Sequence, residues 1–221
     1  MKATKKNPIT TPANEAQVRF PGSSRPLSKA EQTRLKILDA TLESLCEHGI
    51  EKTTLQTIAT HAGVGVSHVA YHFPEKSELI REAIQYDTLL YREVLEDFLR
   101  QARSPEEKLR AFLMANFHWH RSKRHRLTWL LEFYMSAQQK PLAQAYVESR
   151  LDGKRRIQEY IGPELIRRGF SYEQLEQEAF ALQMMASGFL TDYIARYPLD
   201  PGPEYVTRAI DSVVNRIFSK T

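Results

Sequence analysis

Large apolar residues return every three or four positions along most of this 221-residue chain. Leu35, Leu38, Leu42 and Leu45 form the first such stripe, the period of a helix with one buried face. Ser28-Lys29-Ala30-Glu31 opens it as a capping box, and Gly49 supplies its stop. A short helix is expected from about Thr54 to Ala62, capped by Thr53 or Thr54, with Leu55, Ile58, Ala59 and Ala62 inward. The next spans roughly Val66 to His72 and is closed by Pro74. A long helix then runs from near Glu75 towards Ala102 on a ladder of Leu79, Ile84, Leu89, Leu90, Val94 and Leu95.

Ser104-Pro105-Glu106-Glu107 is a second capping box, with proline at the first helical position, and opens a helix to about Ser122. Further helices read at about 125–138, 141–161, 172–196 and 203–219. They are punctuated by Pro141, Gly162-Pro163, Ser171 with Gln174, and the turn-rich stretch Pro198 to Pro203. No alternating run long enough for a strand occurs, so the pattern predicts an all-α fold. Residues 1–27, with Pro8, Pro12, Pro21 and Pro26 among polar residues, hold too few apolar side chains to offset the entropy of ordering. They read as a flexible arm. The expected organisation is this arm, a three-helix unit over 28–75, and a larger helical domain over 76–221.

Charge adds direction to this plan. The formal net charge is +4, with a pI near 9.1. Six cationic residues (Lys2, Lys5, Lys6, Arg19, Arg25 and Lys29) stand against Glu15 within residues 1–30, so the rest of the chain is close to neutral. The excess positive charge sits where a polyanion would be met. Cys46 is the sole cysteine, which excludes an internal disulfide and paired-thiolate metal sites. No secretory signal reads at the amino end. The longest uncharged stretch of the second half, Ala179 to Thr191, is too short for a bilayer core of ~30 Å. A cytoplasmic protein without a membrane partner is expected.

Within the three-helix unit, Ala59, Gly63 and Val69 hold informative spacing. A helix-turn-helix needs a small residue where its helices cross, a residue tolerant of positive φ four later, and an apolar anchor six beyond. An ordinary helical hairpin with a glycine turn meets the same three conditions. The surrounding residues go further. Arg34-x-x-Ile37-Leu38-x-Ala40, Gly49, Thr54-x-x-x-Ile58-Ala59-x-x-Ala62-Gly63-Val64 and Tyr71-His72-Phe73-x-x-Lys76 are similar to the DNA-binding domain of TetR-family regulators, over the whole of that domain. Two positions depart from the family pattern: Gly65 replaces the usual serine cap, and Ala70 replaces the first of a tyrosine pair.

The resemblance implies a homodimer that binds a palindromic operator in double-stranded DNA, with the helix over 66–72 in the major groove. On that helix Val69 and Phe73 face inward, and Val66, Ser67, Ala70 and Tyr71 face out. Ser67 suits a base edge or phosphate, Val66 and Ala70 a thymine methyl, and Gln56 an adenine. Thr54, His68, Tyr71, His72 and Lys76 are candidate phosphate contacts, with a packing role for His72 equally open.

The resemblance also implies that the last two helices pair across a dimer axis, against the alternative of one monomeric bundle. The helix over 172–196 is apolar on two faces, one with Leu175, Ala179, Leu182 and Ala186 and another with Phe180, Met184, Ser187 and Thr191. For a small-molecule effector, the candidates are polar residues on an apolar stripe, Asn116 and His120. Trp119, Trp129, Phe133 and Met184 are candidate walls, each of which also fits plain core. His118 and His120 point to different sides of their helix, so no metal site is expected, and no cofactor motif occurs. The run Arg121 to Arg126 reads as an exposed loop. No His-Glu-x-x-His, Gly-x-Ser-x-Gly or phosphate loop supports an enzyme. The expected function is therefore a transcriptional regulator, a repressor released by an effector, or alternatively one governed by a protein partner without any effector.

Overall fold

The computed structural model describes residues 26–122, 140–195 and 202–219, which form eight helices and no strand. The helix expected at 125–138, together with Trp129 and Phe133, lies outside the described residues, as do most of the arm and residues 196–201. Among the described residues no helix is long and apolar enough to cross a membrane.

Helix α1 (Lys29–Lys52) starts at the expected capping box, with Ser28 accepting from the Glu31 amide and Glu31 accepting from the Ser28 amide. Gly49 breaks it at φ 73°, a conformation that glycine adopts without steric cost. Next come α2 (Leu55–Ala62), α3 (Val66–His72) and the long α4 (Lys76–Leu99). Leu35, Ile37, Leu42, Leu45, Ile58, Val69, Phe73 and Leu79 close one core. This core continues along α4 to Tyr86, beyond the residue-75 limit expected for the three-helix unit.

Helix α5 (Pro105–Ser122) opens with Ser104 and Glu107 capping each other, and α7 (Tyr172–Ala195) with Ser171 and Gln174 doing the same. Between them, α6 (Lys140–Arg167) runs straight through Gly162-Pro163, where the sequence pattern predicts a stop. A proline inside a helix loses one hydrogen bond and crowds the carbonyl four residues back. Its further clash with the Cβ of the residue before it is absent here, because that residue is glycine. Ile157, Ile161 and Leu165, all fully buried at four-residue spacing, hold the helix together across the interruption. The missing side chain also lets Leu175 approach, since a Cβ on Gly162 would stand 3.1 Å from its methyl. Helix α8 (Pro203–Phe218) buries Val206, Ile210, Val214 and Ile217. These residues, with Leu95 and Leu109, close a second core. Helix α4 belongs to both cores and joins them.

Candidate nucleic-acid interface and effector region

The geometry of the α2–α3 unit follows from three short-range devices. Thr54 caps α2, its hydroxyl accepting from the Thr57 amide at 3.1 Å while the Thr57 hydroxyl accepts from the Thr54 amide at 3.0 Å. Gly63 takes the left-handed conformation at φ 63°, ψ 35°, and turns the chain within one residue. Its amide donates to Thr60 O at 3.3 Å and that of Val64 to Ala59 O at 3.1 Å, which closes the carbonyl end of α2. Helix α3 begins at Gly65 without a side-chain cap.

Two further sets of contacts, absent from the sequence reading, hold this unit in place. Ser44 on α1 lies 2.9 Å from the Thr57 hydroxyl and donates to Thr53, whose own hydroxyl donates to Gly49 O at 2.7 Å. Arg34 grips the far end of α3. Its Nη1 donates to His72 O at 3.2 Å, it pairs with Glu82 on α4, and its guanidinium lies 4.2 Å from the centre of the Phe73 ring. Arg34 stood in the family-like pattern, but its partners are 38 and 48 residues away, beyond any local signal.

With Val69 and Phe73 fully buried, α3 presents Ser67, His68, Ala70 and Tyr71 to solvent, and Tyr71 is 81% exposed. Gln56 and Thr54 are exposed at the start of α2. His72 is half-buried, its ring set edge-on to Tyr71 at 5.3 Å. Val66 differs from expectation: it is half-buried and packs against the amino-terminal core, because the first turn of α3 folds back onto α2. Lys76 differs too. Its Nζ donates to Ile50 O at 3.0 Å, so the ammonium closes a carbonyl in the last turn of α1.

In the carboxy-terminal core, Asn116 donates through Nδ2 to Tyr91 Oη at 2.6 Å and to Phe112 O at 2.8 Å. Trp119 is buried and packs edge-on to Tyr91 at 6.3 Å. Burial pushes the Tyr91 phenol well above its ordinary range and pushes His120 down to about 4, so both are neutral at physiological pH. Tyr91, Asn116 and His120 nevertheless keep some accessible surface. The structure thus gathers Asn116 and Trp119 beside Tyr91, a residue outside the expected set, while His120 follows Asn116 by one turn of α5. Met184 does not join them. It is half-exposed on α7, with Arg150 Nη2 3.8 Å from its sulfur, while Met185 turns to the core instead. Phe180, one turn earlier on the same face, is 59% exposed.

Residues 37–83 match the family model described as "Bacterial regulatory proteins, tetR family". The HTH-type transcriptional regulator BetI of Escherichia coli K12 is 25% identical over 170 residues, covering 76% of this chain and 85% of that protein. Among solved structures, a putative transcriptional regulator from Pseudomonas aeruginosa PAO1 superposes with a TM-score of 0.76 at 19% identity, covering 87% of this chain and 93% of that one. A putative transcriptional regulator from Saccharomonospora viridis in complex with choline gives 0.71 at 14% identity, over 84% and 96% of the two chains.

Proposed function

The chain belongs to the TetR family of DNA-binding transcription regulators, and from that premise we propose that it is a homodimeric repressor released from a palindromic operator by a small-molecule effector. One observation carries the DNA-reading half: α3 has its inner residues sealed in the core and a continuous outer face of small and polar side chains, turned out by the left-handed Gly63. An exposed helix of this kind fits the major groove. Ser67, Ala70 and Gln56 are the base-reading residues in this proposal, and Tyr71, His68, His72 and Thr54 face the phosphates. Val66 offers only its outer edge to a thymine methyl, and Lys76 reaches a phosphate only by leaving the Ile50 carbonyl. With so little cationic charge on this face, half-site spacing and the basic arm supply much of the affinity.

The exposed Phe180 and Met184 face of α7 supports the dimer, because an apolar ridge backed by a buried one needs a second cover. The neutral, part-buried group of Tyr91, Asn116 and Trp119, with His120 one turn further along α5, supports an effector site between α4 and α5. Choline bound to a protein of the same fold supports the presence of such a site, though the ligand there is that protein's own. The internal hydrogen bonds of Asn116 favour a second reading, a regulator whose effector region is plain core and whose control comes from a protein partner.

Selection of bound sequences from random duplexes tests the proposal. Symmetric half-sites at a fixed spacing are expected, and Gln56→Ala should relax one symmetric position at a cost of about 1–3 kcal/mol. Asymmetric single sites would refute the dimeric reading, and an unchanged motif in Gln56→Ala would remove that residue from base reading.

A further inference from the structure

A groove of about 290 Å³ lies between α4 and the first half of α6. Ile84 and Leu89 of α4 give it an apolar side. Its polar end is built around one carboxylate. Asp152 accepts from Arg92 Nη2 at 3.2 Å, Arg156 Nε at 3.0 Å and Arg155 Nη2 at 3.0 Å. Burial would raise the Asp152 carboxyl, but Arg156 and Arg92 outweigh it and hold the group ionised. One carboxylate cannot saturate three planar forks. Arg92 Nε is buried without any hydrogen-bond partner among the described residues, so this guanidinium is left under-satisfied at the edge of the groove. Glu148, one turn before Asp152 on α6, adds a second carboxylate to the lining.

We propose that this groove binds a small organic monoanion, a carboxylate head with a short apolar tail, at a site separate from the Tyr91–Asn116 group. The head meets Arg92 and Arg155, whose forked donors match a carboxylate. The tail lies along Ile84 and Leu89. Glu148 and Arg155 are seven residues apart on one helix, about 10 Å, which limits the ligand to a short chain and rejects a second anionic end. Helix α4 gives Ile84 to the amino-terminal core and Leu95 to the carboxy-terminal one, so a ligand bridging it to α6 sets the angle between the two.

Equilibrium dialysis of the full chain against labelled hexanoate, without DNA, tests the site independently of the operator reading. Saturable binding is expected, and Arg155→Gln, at an exposed position where folding is verified by circular dichroism, should weaken it about tenfold. Adipate and inorganic phosphate should compete poorly. Absence of saturable binding, or equal affinity in Arg155→Gln, would overturn the site. Competition by adipate as effective as by unlabelled hexanoate would overturn the monoanion assignment, and by phosphate the role of the tail.

Discussion

Replacing Arg34 by methionine separates two ways in which a basic residue can serve DNA binding. Arg34 is exposed enough to suggest a phosphate contact, yet its guanidinium is already engaged on three sides. Its side chain is 36% exposed and that of Glu82 22%, so solvent screening leaves the ion pair worth about 0.5 kcal/mol. The hydrogen bond to the His72 carbonyl adds roughly 1 kcal/mol, and the guanidinium over Phe73 about 0.5. Methionine keeps the apolar stem against that ring and removes these contributions, for a loss of about 2 kcal/mol, or roughly 4–8 °C in Tm for a chain of this length. Freed from Arg34, the carboxy-terminal end of α3 frays and Tyr71 loses its fixed position, so DNA affinity falls without loss of any charge at the interface. The assay is fluorescence anisotropy over a salt series, beside thermal denaturation by circular dichroism. A clamp predicts weaker binding with the slope of log K against log salt unchanged. A phosphate contact predicts a slope shallower by about one with Tm preserved, and that outcome would refute the clamp.

Two other perturbations probe the same unit. A Cβ on Gly63 would meet nothing within 4 Å, so Gly63→Ala carries only the backbone cost of its positive φ, ~1–2 kcal/mol, offset by roughly 0.4–1 kcal/mol of lost unfolded-state freedom. Urea unfolding should show a net loss near 1 kcal/mol, partly recovered in Gly63→Asn, and stability equal to the parent would contradict the strained turn. His61 is raised above 6.5, first by its contact with the Thr57 carbonyl and then, against opposing burial, by Glu47. Because the folded state holds the proton more tightly, its stabilisation is complete below pH 6.5 and is lost as pH rises through the raised value. The stability difference between parent and Glu47→Gln should therefore shrink from about pH 5 to about pH 8, and a difference that grew with pH would invert the assignment.

What the sequence made legible follows from how local each cause is. The boxes Ser28–Glu31, Ser104–Glu107 and Ser171–Gln174 and the glycine turns at 49 and 63 are fixed within four residues, and each stands where the pattern puts it. The cap of α2 was ambiguous between Thr53 and Thr54 because the reciprocal residue is Thr57, a hydroxyl where glutamate or glutamine is usual. Proline at 163 argued for a stop, and the buried partners that override it come from other helices. Val66 and Lys76 illustrate the limit within the site itself. Helical phase alone turns Val66 outward, but the crossing of α3 on α2 covers it, and Lys76 finds a carbonyl 26 residues back. Tyr91 escaped the candidate set because a tyrosine on the apolar ladder of α4 looks like any core aromatic. Its partner Asn116 was conspicuous as a polar side chain on an apolar stripe.

Adjacent residues of α4 fasten it to two different helices, Tyr91 to Asn116 on α5 and Arg92 to Asp152 on α6. A molecule that competed for Asn116 would break the first tie, but the magnitudes limit what that achieves. One hydrogen bond is worth about 1 kcal/mol net, whereas moving a two-state equilibrium from 1:99 to 99:1 needs about 5.5 kcal/mol of differential binding. The balance has to come from apolar surface that is packed in one setting of α4 and open in the other. Leu95 is fully buried, and Tyr91, Phe98 and Leu99 pack beside it on the same core, where roughly 25 cal/mol per Å² of apolar area supplies the missing amount over about 200 Å². An effector of the proposed kind therefore works by how much of this α4 surface it covers, and its polar groups decide which molecule is admitted.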